Sequence, residues 1–172
     1  MQRFGSRKTA GSRALQLIPL ALAFLAAASR SEEQPKEKPA LAVIVHPNNT
    51  VTDLKLEDLR AHVLLEKKFW PNGRRVVLLL RSSQSVEQQI LLDSVYKMTA
   101  EQLRKHWVAK LFAGEISAIP SVVRSSTAAG AIVSKSESAI SVVLASEVPQ
   151  GVRVLAINGK KPGDSGYELV GK

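Results

Sequence analysis

Apolar and polar residues alternate along this chain in blocks that have the lengths of strands and helices. Leu41-Ala42-Val43-Ile44-Val45 is a short β-branched run closed by His46-Pro47-Asn48-Asn49, which predicts a first strand and a turn. Leu56, Leu59, Val63 and Leu64 recur at helical spacing, and Trp70-Pro71-Asn72-Gly73 predicts a turn before a strand over 75–80. Val86, Ile90, Leu91 and Val95 predict a helix over 86–97. Thr99 with Gln102 forms a capping box for the next helix, which carries Leu103, Trp107, Ala109 and Leu111. Phe112-Ala113-Gly114 ends that helix, and Ile119-Pro120 lies in the loop after it. The segment 121–136, rich in serine and alanine, is read as a weaker helix with Gly130 inside it. Residues 138–145 and 152–157 read as strands, the second followed by the turn Asn158-Gly159. Strands alternating with helices predict an α/β fold, with a mixed or parallel sheet flanked by helices. No internal repeat stands out.

The pattern is different before Leu41. A cationic start, an apolar core from Ala14 to Ala28 and the small residues Ala26-Ala27-Ala28-Ser29 have the three parts of a secretory signal, so 1–29 is expected to be removed. The apolar run is shorter than the ~20 residues of a spanning helix, and no stable membrane span is expected after cleavage. Residues 30–40 include Ser31-Glu32-Glu33-Gln34-Pro35-Lys36-Glu37-Lys38-Pro39, too charged to bury apolar area, and read as a disordered spacer. The folded domain is expected over 41–158. The tail 159–172, with Pro162, Gly163, Gly166 and Gly171, reads as a loop that Tyr167 and Leu169 can pin to the domain. Export implies a periplasmic or secreted protein. The chain has no cysteine, which excludes disulfides and cysteine-ligated metal and leaves the core alone to hold the fold.

Charge changes the picture less than its total suggests. The 172 residues carry a formal +9, with 24 Lys and Arg against 15 Asp and Glu. Without Arg3, Arg7, Lys8 and Arg13 in the signal, 20 cations remain and the net charge falls to +5. Those cations are dispersed without interleaved aromatics, so the sequence predicts a solvated basic surface and no nucleic-acid partner.

The candidate chemistry lies at the strand-to-helix junction within 75–96, where Arg81-Ser82-Ser83-Gln84-Ser85 separates the two apolar blocks. A helix start presents unpaired N–H groups and positive partial charge, so an arginine and serines there can form an anion site. Capping explains the same residues: Ser85 with Gln88 has the form of a capping box, with Arg81 an exposed cation at a strand end.

The order and spacing of several motifs carry a resemblance. Asp58-Leu59-Arg60, Trp70-Pro71-Asn72-Gly73, Val76–Leu80 leading into Arg81-Ser-x-x-Ser85, and Ser138-Ala-Ile-Ser-Val-Val143 together resemble the substrate-binding proteins of phosphate ABC transporters, in particular short single-domain versions. The resemblance runs from Leu41 to about Ile157. It implies a single lobe of the type-2 periplasmic-binding-protein α/β fold, and places Arg81, Ser82 and Ser85 against the oxygens of a phosphate. Ser125, Ser126 and Thr127 would come from a second loop. Val86-Glu87 replaces the family's Gly-Thr after the last serine, and Ser141-Val142 replaces a later Gly-Tyr. Glu87 complements the same helix dipole that would draw phosphate and repels an incoming dianion.

Elsewhere the chemistry is sparse. His46, His62 and His106 lack the paired spacing of metal ligands, no Gly-x-Ser-x-Gly elbow is present, and Asp53, Glu57 and Asp58 suit a helix start. Trp70 and Trp107 read as packing residues. The sequence therefore predicts no enzyme, no cofactor and no metal. Two classes of function remain: an exported oxyanion-binding protein, possible partner of a permease, or an envelope interaction module that keeps the fold without the ligand.

Overall fold

The computed structural model describes residues 38–172. The expected signal and residues 30–37 of the expected spacer lie outside the described residues. The elements run in order β1 (Leu41–Val45), β2 (Asp53–Leu54), α1 (Leu56–Val63), β3 (Val77–Arg81), α2 (Val86–Leu91), a π-helical turn (Leu92–Tyr96), α3 (Ala100–Phe112), β4 (Ser121–Val123), α4 (Ser126–Val133), β5 (Ala139–Leu144), a 3₁₀ turn (Ala145–Glu147), β6 (Arg153–Val154) and β7 (Ala156–Ile157).

Five strands form a mixed sheet in the order β4-β3-β5-β1-β6, and β2 pairs with β7 in a small parallel ladder. The apolar run 41–45 is fully buried along its length, as expected of a strand covered on both faces. It pairs antiparallel with β5, from Leu41 opposite Leu144 to Val45 opposite Ile140. Alternation along each strand divides the core in two. Leu41, Val43, Val45, Leu78, Leu80, Ile140 and Val142 share the larger core with α1, α2 and α3. Ala42, Ile44, Leu79, Ala139 and Val143 pack with Ala129 and Val133 of α4.

β3 runs parallel to both β4 and β5, so all three end at the same edge of the sheet. Arg81 closes β3 opposite Val123 of β4, and the chain continues from these ends into α2 and α4. The outer edge of an open α/β sheet, beyond the carboxyl ends of parallel strands, is where such folds hold ligands.

Four sequence expectations change. The helix expected over 121–136 is β4 followed by α4: β-branched Val122 and Val123 pair with Leu80 and Arg81, and Ser125 starts the helix by accepting from Ala128 N at 3.0 Å. The strand expected over 152–157 is split at Leu155, which is fully buried and donates its N–H to Val43 O at 2.9 Å. Residues on either side of it serve different sheets, β6 with β1 and β7 with β2. The strand expected over 75–80 starts later and ends on Arg81. The helix over 86–97 loses its α-helical register after Leu91, and its π turn stops at Lys97, which is left-handed at φ 54°.

Gly130 weakens α4 by propensity, yet a Cβ there would lie within 2.6 Å of Pro149 Cγ. We expect Gly130→Ala to lower stability by about 1–3 kcal/mol through overpacking, despite the ~1 kcal/mol that alanine gains over glycine in a helix. A midpoint equal to or above that of the parent in urea unfolding would overturn this.

His62 is a core residue. Its ring lies 4.8 Å from that of Trp70, Nδ1 is 2.9 Å from Lys67 O, and burial holds its pKa below the usual imidazole value. Trp70 Nε1 donates to Ser138 O at 3.0 Å.

Candidate functional site

Arg81 is placed by β3 and turned by Ser82–Ser85 toward the start of α2. The turn closes with Ser85 N donating to Ser82 O at 2.9 Å, and Ser85 Oγ then accepts from Gln88 N at 3.2 Å. The expected capping box is one-sided. Gln88 does not reach back to the Ser85 backbone, and its buried Oε1 has no hydrogen-bond partner among the described residues.

The guanidinium of Arg81 is not the exposed cation that the capping reading expects. Its Nε donates to Glu87 Oε1 at 2.8 Å and its Nη1 to Val123 O at 3.1 Å. The side chains are 11% and 4% exposed, which makes this a largely buried ion pair spanning the ends of two strands and the first turn of α2. Nη2, which shares one edge of the guanidinium with Nε, makes no hydrogen bond among the described residues. Glu87 thus acts as partner to Arg81, in addition to complementing the helix start.

β4 brings a second serine-bearing loop to the same edge. Ser125 caps α4, and Ser126 Oγ donates to Glu147 Oε2 at 2.7 Å, Glu147 lying just past the end of β5. Ser82 and Thr127 are exposed, and neither hydroxyl makes a hydrogen bond among the described residues. Arg81, Ser82, Ser85, Ser125, Ser126 and Thr127 therefore gather on the carboxyl edges of β3 and β4.

Arg124 is a further cation at this edge that its local sequence alone does not single out. It sits between β4 and α4, exposed, and forms no ion pair among the described residues. The signal was present: Arg81-Ser82-Ser83 and Arg124-Ser125-Ser126 repeat one tripeptide after adjacent parallel strands. Only the pairing of β3 with β4 gives that repetition meaning.

This edge is open. A groove of about 620 Å³ reaches Ser83 and Val86 but runs away from Arg81 along Ile90, Asp93 and Met98 to Val170. Among the described residues no group of three or more acidic or imidazole side chains could hold a metal, and no helix is long and apolar enough to cross a membrane.

No protein-family model and no curated protein matches the chain. Solved structures do. PstS from Borrelia burgdorferi superposes with a TM-score of 0.61 at 18% identity, over 77% of this chain and 55% of that one. An ABC-type phosphate transport receptor from Vibrio cholerae gives 0.60 at 15% identity, over 77% and 54%. A Clostridium perfringens protein assigned as a phosphate ABC transporter substrate-binding protein, with phosphate bound, gives 0.59 at 20% identity, over 73% and 47%. The chain has their fold. At these identities the likeness concerns architecture alone, and the chain spans about half the length of the proteins it matches.

Proposed function

We propose that this chain is an exported, single-lobe solute-binding protein that takes phosphate or a similar small oxyanion and serves a phosphate ABC transporter. The observation that supports this reading is the placement of two Arg-Ser-Ser loops, one carrying Arg81 and the other Arg124, at the carboxyl edges of adjacent parallel strands. Guanidinium groups supply charge and a planar fork, while hydroxyls and helix N–H groups supply directed donors. Ser85 fits this role even while capping, because its Oγ accepts from Gln88 N and keeps its own proton to donate. The phosphate-related fold of the neighbours points to the same ligand class.

The test is calorimetric titration of residues 30–172 with phosphate at low ionic strength, with sulfate as control. Saturable binding is expected, and it is abolished when Arg81 and Glu87 are both replaced by alanine, a pair of changes that removes both charges together. Arg124→Ala should weaken binding by about two- to fivefold, the worth of one solvent-exposed charge pair. No heat at millimolar phosphate, or loss of neither affinity in the variants, overturns the reading.

The ion pair itself favours a second reading, in which the fold persists with its anion site filled by its own carboxylate and the protein contacts an envelope partner instead. That alternative expects no anion-dependent stabilisation and recovery of one defined partner from envelope extract.

A further inference from the structure

The Arg81–Glu87 pair is built unevenly. A guanidinium offers Nε and Nη2 along one edge as parallel donors, the edge that two oxygens of an oxyanion occupy together. Glu87 occupies half of it. Its Oε1 meets Nε at 2.8 Å, while Nη2 makes no hydrogen bond among the described residues. On the far side Nη1 is fixed on Val123 O at 3.1 Å, which holds the guanidinium in place whatever occupies its other edge. Val86, half exposed at the start of α2, leaves this turn facing solvent. The second loop repeats the arrangement, since Ser126 is likewise held by a carboxylate of this chain, that of Glu147 at 2.7 Å.

We propose that Glu87 is an intramolecular competitor for the oxyanion: its carboxylate holds Nε of Arg81, and a tetrahedral oxyanion binds by displacing it and engaging Nε and Nη2 together. This rests on the oxyanion reading above. Affinity is then set by an exchange of anions on a fixed cation, and the apparent dissociation constant is raised in proportion to the rarity of the displaced carboxylate. The exchange also selects ligands. A small anion with two oxygens at the right spacing replaces a one-point contact with a two-point one, whereas chloride replaces one contact with one and gains nothing.

The experiment titrates the full chain and its Glu87→Gln variant with phosphate, sulfate and chloride, following both heat and melting temperature. Glu87→Gln keeps an acceptor for Nε but removes the competing charge. Its affinity for phosphate and sulfate should rise by about 10–100-fold, the gain expected when a 1–10% populated competent state becomes dominant. Its melting temperature should fall without oxyanion and recover on addition of sulfate but not of chloride. If the variant binds no more tightly than the parent while both bind, the competitor role is overturned and the oxyanion reading stands. If neither binds, the oxyanion reading fails and takes this proposal with it. Should Glu87→Gln not fold, Glu87→Ala gives the same comparison with a smaller side chain. A gain that persists when Arg81 is also replaced by alanine overturns the assignment to Arg81.

Discussion

Arg81→Ala should destabilise the protein by about 3–5 kcal/mol, the usual cost of leaving one member of a buried ion pair without its partner. The carboxylate left behind is that of Glu87, 4% exposed in the first turn of α2, and the same change frees Val123 O at the end of β4. Replacing both residues by alanine should cost much less than the sum of the two single changes, because no unpaired charge remains. Urea unfolding of the parent, the two single variants and the double variant closes the cycle. A coupling within about 0.5 kcal/mol of zero would mean that the pair is held as loosely as an exposed one and carries nothing. This measurement involves no ligand, so it tests the geometry of the site independently of what the site binds.

The same cycle separates two roles that sequence could not separate. A strand-end arginine followed by serines is compatible with capping and with anion binding, and neither reading anticipates that the arginine is consumed by a glutamate six positions later. That contact depends on the turn Ser82–Ser85 bringing α2 back over the end of β3. Sequence showed Glu87 as a charge hostile to phosphate; the fold shows what that charge holds. Arg124 was missed for a related reason: its value lies in the pairing of β4 with β3, and β4 was itself hidden inside a segment whose serines and alanines favour no element strongly.

What was legible followed from local rules. The run 41–45 could only be a buried strand, and Thr99 with Gln102 does form the reciprocal capping box that starts α3. The helical spacing of Leu59 and Val63 and the apolar run in β5 likewise gave the right elements, because one face or both faces of each are buried. Where tertiary pairing decides, periodicity ran out: at Val122 and Val123, which join an edge, and at Leu155, where one apolar run is shared between two sheets.

The tail gives the second large expected effect. Leu169→Ala should cost about 2–5 kcal/mol, as much as truncating a leucine in the middle of a core. Leu169 is fully buried, and its carbonyl accepts from Leu41 N at 2.8 Å, while Tyr167 Oη donates to Leu41 O at 2.8 Å and Ala40 bridges to Val170. The first residue of β1 is thus held by the tail on both its N–H and its C=O, and burial raises the Tyr167 pKa above its ordinary value. By contrast Lys172, whose side chain is 87% exposed and paired with an exposed Asp93, should tolerate alanine with no change in the unfolding midpoint. Equal midpoints for Leu169→Ala and the parent would mean that β1 is secured by β5 and β6 alone, with the tail lying on the domain without supporting it.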